Sequence, residues 1–243
     1  MPNFTIIIPV FEETDALSFS RFYFDALEVK PIYALDSKRS HRRGEVEALL
    51  GRAVSIYENP GSCIEANYGN LASLAPTEWV LRVDCDEVPN SAMLKYCRSF
   101  VENPKGNYCG FDRDDVIWRD GAFERLVYAP LFVDTQFRLF NRNKVKFISK
   151  IHTPGFYVPK WKLPFWPRWN APMDARLYHL QRVFISRQQR EEKKTRYDGA
   201  GQGAGFSEWL SRLDESFKWK PLMDDRFARS FAAWKRQDET KMK

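Results

Sequence analysis

The chain has 243 residues, a net charge of +6 and 44% hydrophobic residues, enough to bury a sizeable core in one large α/β domain with a helical extension. That composition excludes a disordered chain, and no fixed-period repeat or low-complexity tract stands out. The longest strongly apolar run, Phe4 to Phe11, is far short of the ~18 residues that span a bilayer.

Phe4-Thr5-Ile6-Ile7-Ile8, stopped by Pro9, predicts a buried parallel strand. Residues 15–29 carry helical spacing at Leu17, Phe22 and Leu27. Ile32 to Leu35 predicts a second strand running into Asp36-Ser37, and Glu45 to Leu50 a helix closed by Gly51. Ala53 to Tyr57 predicts a third strand, residues 63–75 a helix, and Glu78 to Val83 a fourth strand that delivers Asp84-Cys85-Asp86-Glu87. Pro89 to Phe100 predicts a helix with Pro89 near its first turn. This β-α alternation is the signature of a mostly parallel sheet flanked by helices.

After residue 105 the pattern changes. Tyr108–Phe111, Gln136–Phe140 and Val145–Ile148 are strand-like, so an α+β half is expected over 106–182, joined to a first half over 1–105. Residues 157–172 hold four prolines and three tryptophans and predict an irregular loop. Residues 183–243 predict a C-terminal helical extension: a basic helix at 186–196, an aromatic one around 206–217, and a last one from Met223 to Lys235.

Cys63, Cys85, Cys97 and Cys109 form no CxxC pair, and only His41, His152 and His179 could serve as imidazole ligands. That predicts reduced, mostly buried thiols rather than a zinc cluster. No signal peptide is expected, and the expected compartment is the cytosol, with peripheral contact at the inner face of a membrane as an option. Charge is uneven. Residues 1–140 carry 15 Lys/Arg against 21 Asp/Glu, and residues 141–200 carry 14 against 4. Acidic groups in the first half could hold a cation, and the basic segment could meet an anionic partner.

Ligands of an open parallel sheet bind outside the carboxyl ends of its strands. Three such ends here carry carboxylates: Glu12-Glu13, Asp36, and Asp84-Cys85-Asp86-Glu87. Like charges gathered on one rim call for a hard divalent cation, Mg²⁺ or Mn²⁺, which usually comes with a phosphate. In extended chain, Asp84 and Asp86 would face one ion while Cys85 points into the fold. The plain alternatives are an Asp-rich turn after a strand and a helix N-cap at Asp36.

From Thr5 to about Tyr197 the sequence resembles family 2 glycosyltransferases of the GT-A fold. Pro9-Val10-Phe11-Glu12-Glu13 is similar to that family's Pro-x-Tyr-Asn-Glu. Asp36-Ser37-Lys38-Arg39-Ser40 stands where the family has Asp-Ser/Gly-Gly-Ser. Trp79 to Glu87 resembles Trp-Val-Leu-x-x-Asp-Ala-Asp-Glu, and Asn70 falls where Asn is common. Asp134 to Arg142, Ile151-His152 and Leu177 to Leu180 are similar to a bacterial branch that builds lipopolysaccharide core and surface glycans. Glu12 for Asn, Lys38-Arg39 for small residues and Thr153 for Glu depart from the pattern.

The resemblance implies an inverting, metal-dependent transferase that takes a nucleotide sugar, UDP favoured over GDP, to a glycan or lipid-linked acceptor. It places the donor against Pro9, Phe11, Glu13, Asp36, Asn70, Arg82, Asp84, Cys85, Asp86 and Arg138. Asp36 would accept from the base, and Phe11 would lie beside it. Asp84 would meet ribose or a metal-bound water, while Asp86 and His179, with Asp84 near, would hold Mn²⁺ or Mg²⁺. The general base is expected at Asp134, with Asp115 second. Arg138 is expected to orient a substrate phosphate or Asp134, with a structural ion pair as the alternative. A nucleotidyltransferase would need a Gly-rich basic loop after the first strand, and residues 9–15 contain neither Gly nor Lys/Arg. A non-catalytic module for anionic glycan is the remaining reading, and it leaves the acidic rim without a purpose. No nucleic-acid partner is expected. The transferred sugar, acceptor, linkage and oligomeric state are not readable from the chain.

Overall fold

β1 (Phe4–Val10) is β-branched and buried along almost its whole length, as a strand covered on both faces must be. Its alternation sorts the core. Phe4, Ile6, Ile8 and Val10 join one cluster with Leu17, Leu35, Val46 and Met93, while Ile7 faces Tyr68, Leu71, Val80 and Phe140 on the other side. The structure is a computed structural model that describes residues 3–10, 14–59, 67–127, 134–148, 155–157, 171–186, 188, 190 and 218–241.

β1 pairs in parallel with β2 (Ile32–Asp36) and β4 (Trp79–Arg82), and β2 pairs in parallel with β3 (Ser55–Tyr57). The expected parallel core is therefore present. Its helices are α1 (Thr14–Ala26), α2 (Arg43–Leu50) and α3 (Tyr68–Ser73), followed by α4 (Ser91–Glu102). Gly51 closes α2 with φ +59, a left-handed value that suits glycine. Part of the stretch predicted as helix over 63–75 lies outside the described residues; α3 accounts for the rest.

Pro89 is not in the first turn of α4. It ends a short strand, β5 (Glu87–Pro89), where a residue lacking an N–H is tolerated. Asn90 caps α4 instead, its Oδ1 accepting from the Met93 N–H at 2.8 Å.

The second half is built on β6 (Tyr108–Arg119), which is much longer than the predicted Tyr108–Phe111. It turns at Asp120-Gly121, both with positive φ (50° and 82°), into β7 (Ala122–Val127). Paired positive values are what a tight hairpin needs. β8 (Thr135–Asn141) returns antiparallel between β6 and β4, so the sheet crosses residue 105 without a break. β9 (Arg176–His179) runs parallel to β6 and antiparallel to β5. The short α5 (Gln181–Phe184) follows it. β10 (Lys218–Pro221) adds to the β7 edge, giving the order β10-β7-β6-β8-β4-β1-β2-β3. Val145–Ile148 is not a strand. Lys144 and Val145 both donate to the Asn141 carbonyl in a turn, and only Phe147 bridges to Phe156.

α6 (Asp225–Lys241) extends the last predicted helix and packs Phe227, Phe231 and Trp234 against Phe19 and Tyr23 of α1 and Phe123 of β7. Phe19 and Phe231 meet edge to face with centroids 5.4 Å apart. The predicted aromatic helix at 206–217, most of the basic helix at 186–196 and most of the 157–172 loop lie outside the described residues. Cys85, Cys97 and Cys109 are buried, as expected; Cys63 lies outside the described residues. Among the described residues no helix is long and apolar enough to cross a membrane.

Candidate active site

The carboxyl end of β2 delivers Asp36, which is only 6% exposed. Its Oδ1 accepts from the Lys38 N–H at 2.8 Å and caps the 3-10 turn Ser37–Arg42. Its Oδ2 accepts from Asn59 Nδ2, and Asn59 Oδ1 in turn accepts from Asn67 Nδ2. Asn59 and Asn67 are both buried. Each carboxylate oxygen has a second lone pair, so a ligand N–H remains within its capacity. The asparagine that reaches Asp36 is Asn67, through Asn59. Asn70 is exposed on α3 and donates to the Glu58 carbonyl at 2.9 Å. Pro9 is buried in β1 opposite Ala34. Phe11, Glu13 and His152 lie outside the described residues.

The carboxyl end of β4 turns sharply. The Glu87 N–H donates to the Asp84 carbonyl at 2.9 Å, so Asp84 to Glu87 is a turn and not extended chain. Cys85 does point into the core. The two aspartates, however, look toward different partners, which extended geometry would not give. Asp84, 27% exposed at its side chain, faces Arg82 Nη1 at 3.1 Å with one oxygen and Arg138 Nη2 at 2.6 Å with the other. Arg82 also reaches the Tyr68 hydroxyl, and its guanidinium lies 4.3 Å from the Tyr68 ring centre.

Asp86 points to β9. Its Oδ2 lies 3.4 Å from His179 Nε2, and His179 Nδ1 lies 2.5 Å from Asp115 Oδ1. Strand register explains the trio. Asp115 on β6 stands directly opposite His179, as Glu87 does on β5, while Asp86 reaches the ring from the turn that precedes β5. Burial and Arg113 push the His179 imidazole down, but Asp86 and Asp115 outweigh them, and it is raised to about 9.

Glu87 has no exposed surface. Arg138 Nη2 donates to its Oε1 at 2.5 Å and Arg113 Nη1 at 3.4 Å. Burial and the Asp84 carboxylate push Glu87 up to about 8. Arg113 holds Asp134: its Nε and Nη2 both lie 2.7 Å from Asp134 Oδ2. Gln136 Nε2 donates to Asp134 Oδ1 at 2.6 Å, and the Asp134 carbonyl accepts from the Arg113 N–H at 2.9 Å. Alternation along β6 puts Arg113 and Asp115 on the site face. Asp114 lies on the other, with Arg125 and Arg176.

The site is thus two linked arrays. One is Asp86, His179 and Asp115. The other runs Arg82, Asp84, Arg138, Glu87, Arg113 and Asp134. Glu87 was expected only as one of the rim carboxylates and Arg113 only as an ion-pair partner of Asp134; Asn59 and Asn67 were not expected as site members.

The first array fits a hard cation. With Nδ1 committed to Asp115, Nε2 would be the nitrogen offered to a metal, in the carboxylate–histidine–metal pattern. Among the described residues no three His, Cys, Asp or Glu gather into a metal cage. Two protein ligands, Asp86 and His179, would therefore leave the remaining positions to phosphate oxygens and water, as Mg²⁺ commonly prefers. Asp84 is held by two arginines.

No protein family matches the chain, and no curated protein matches it. Solved structures share parts of the architecture. 4-Diphosphocytidyl-2C-methyl-D-erythritol synthase is 16% identical with a TM-score of 0.39, over 57% of this chain and 75% of that one. CMP:2-keto-3-deoxy-manno-octonic acid synthetase complexed with CTP is 12% identical with a TM-score of 0.35, over 58% and 74%. S. aureus TarS 1–349 is 17% identical with a TM-score of 0.33, over 48% of this chain and 37% of that one. At such identities these are likenesses of fold, and no residue role is taken from them.

Proposed function

We propose that the protein is an inverting glycosyltransferase that moves a sugar from a nucleoside diphosphate donor, UDP-linked by preference, to a hydroxyl of a glycan or lipid-linked acceptor. The observation that carries this reading is the Asp86–His179–Asp115 array beside Asp134, at the carboxyl ends of β4 and β9. Surface-glycan or lipopolysaccharide synthesis is the setting the sequence resemblance favours.

Asp36 receives the base and Asp84 faces the ribose side. Asp86 and His179 would hold Mn²⁺ or Mg²⁺, which neutralises the charge that develops on the leaving diphosphate. Asp134, kept in place by Arg113 and Gln136, takes the proton from the acceptor hydroxyl as that oxygen bonds to the anomeric carbon. The bond from that carbon to the diphosphate oxygen breaks in the same displacement, inverting the centre. Asp115 serves His179, and the base is assigned to Asp134.

The test is ³¹P NMR of the protein with Mn²⁺ and UDP-glucose, UDP-galactose, UDP-GlcNAc or GDP-mannose, and separately with CTP and sugar phosphates. Slow release of UDP from a UDP-sugar, lost in Asp134→Asn, is expected. Pyrophosphate from CTP with no release of nucleoside diphosphate would favour nucleotidyl transfer instead.

A further inference from the structure

Arg138 is among the most buried charged groups of the described residues, 2% exposed, and Glu87 has no exposed surface at all. Neither is placed to touch a ligand. Yet both converge on a residue that is. Arg138 Nη2 donates to Asp84 Oδ2 at 2.6 Å and to Glu87 Oε1 at 2.5 Å. Glu87 Oε2 accepts the Asp84 N–H at 3.2 Å, and the Glu87 N–H returns to the Asp84 carbonyl at 2.9 Å. Asp84 is thereby fixed at its side chain, its amide and its carbonyl by two residues behind it.

A buried ion pair is a poor device for stability, since apolar side chains of the same volume commonly do as well or better. It is a good device for orientation, because a guanidinium donates along fixed directions. Arg82 completes the grip from the other side, at 3.1 Å from Asp84 Oδ1. The carboxylate that emerges is part-exposed at the end of β4, beside Asp86.

We infer that Arg138 and Glu87 are positioning residues that set the Asp84 carboxylate for the nucleotide and act only through it. This replaces direct contact of Arg138 with the donor, and it rests on the transferase reading, in which Asp84 faces the ligand. Glu87→Gln puts an NH₂ among groups that are themselves donors. Arg138→Lys keeps the charge but replaces the planar guanidinium, whose Nη2 makes both bonds, with a shorter ammonium that rotates freely.

The test is calorimetric titration of UDP with Mn²⁺ into wild type, Glu87→Gln, Arg138→Lys, Asp84→Asn and the two double variants, with thermal unfolding of each. Each single change is expected to weaken UDP binding about tenfold, the lower end for outer-shell partners of a ligand site. Neither is expected to weaken it further once Asp84 is Asn. A merely structural pair would lower the melting temperature and leave the affinity of the folded protein unchanged; that result overturns the inference, as do losses that add in the double variants. A crystal structure of wild type with UDP and Mn²⁺ tests it without any variant. Asp84 on the ligand with Arg138 behind it is expected, and an Arg138–phosphate contact overturns it. A wild type that binds no nucleotide overturns the transferase reading itself, and this inference with it.

Discussion

Asp115 and Asp134 are both acidic residues of the second half, and their neighbours separate them. Asp115 stands opposite His179 in the β6–β9 register and meets its Nδ1 at 2.5 Å. Asp134 stands just before β8 and is gripped by Arg113. Asp115→Asn should therefore weaken Mn²⁺ affinity about 10- to 100-fold, as loss of a second-shell partner of a ligating histidine does. Titration calorimetry in the presence of UDP checks this; an unchanged affinity would deny His179 its place as a ligand. The thiols give a second prediction at this scale. Cys85, Cys97 and Cys109 are buried, and burial raises the Cys97 thiol far above its ordinary value and Cys109 to about 12. All three should resist a thiol-specific disulfide reagent in the native protein and react once guanidine unfolds it, as mass spectrometry of labelled peptides would show.

Elements carry the next layer. Much of the rim was legible because strand ends are local: a β-branched run, a stop, then Asp36 or Asp84 and Asp86. What Glu87 and Arg113 do there was not legible. Their roles come from register between strands far apart in sequence, Glu87 opposite His179 and Arg113 beside Asp134, and no periodicity announces that. β7 was legible in principle, since Asp120-Gly121 is a strong hairpin signal between two strand-like runs. The extended reading of Asp84 to Asp86 failed because Glu87 closes a turn on Asp84. Packing between elements also reaches the site. Gly155 has φ +79, and an added Cβ would fall within the Tyr68 ring, which stacks on Arg82. Gly155→Ala should lower stability by about 1–3 kcal/mol, the usual range for overpacking. It should weaken UDP binding too, because Tyr68 must move off Arg82. Urea denaturation and calorimetry read the two effects; a loss of stability alone would disconnect Tyr68 from the site.

At the scale of the whole molecule, α6 covers α1 from more than 200 residues away in sequence. Phe227 is fully buried against Phe19, Tyr23 and Phe123. Phe227→Ala should cost about 3–5 kcal/mol, the range for removing a buried aromatic ring. Phe227 also meets Tyr178, with ring centroids 5.1 Å apart, but Tyr178 lies on the face of β9 opposite His179, so the folded variant should keep wild-type affinity for UDP. Loss of binding in the folded protein would mean that α6 communicates with the site. The same separation explains why the fold's class was readable while its closure was not. Alternating strands and helices announce a parallel core, but the aromatic stripe of a last helix does not say which face it will cover.

The proposed metal-dependent nucleoside diphosphate site at Asp86 and His179 is tested most directly by calorimetric titration of UDP and GDP, with and without Mn²⁺, into wild type and Asp86→Ala. UDP binding that requires Mn²⁺, exceeds that of GDP and disappears in Asp86→Ala is expected. Nucleotide binding that ignores both the metal and Asp86, or no binding at all, would contradict it.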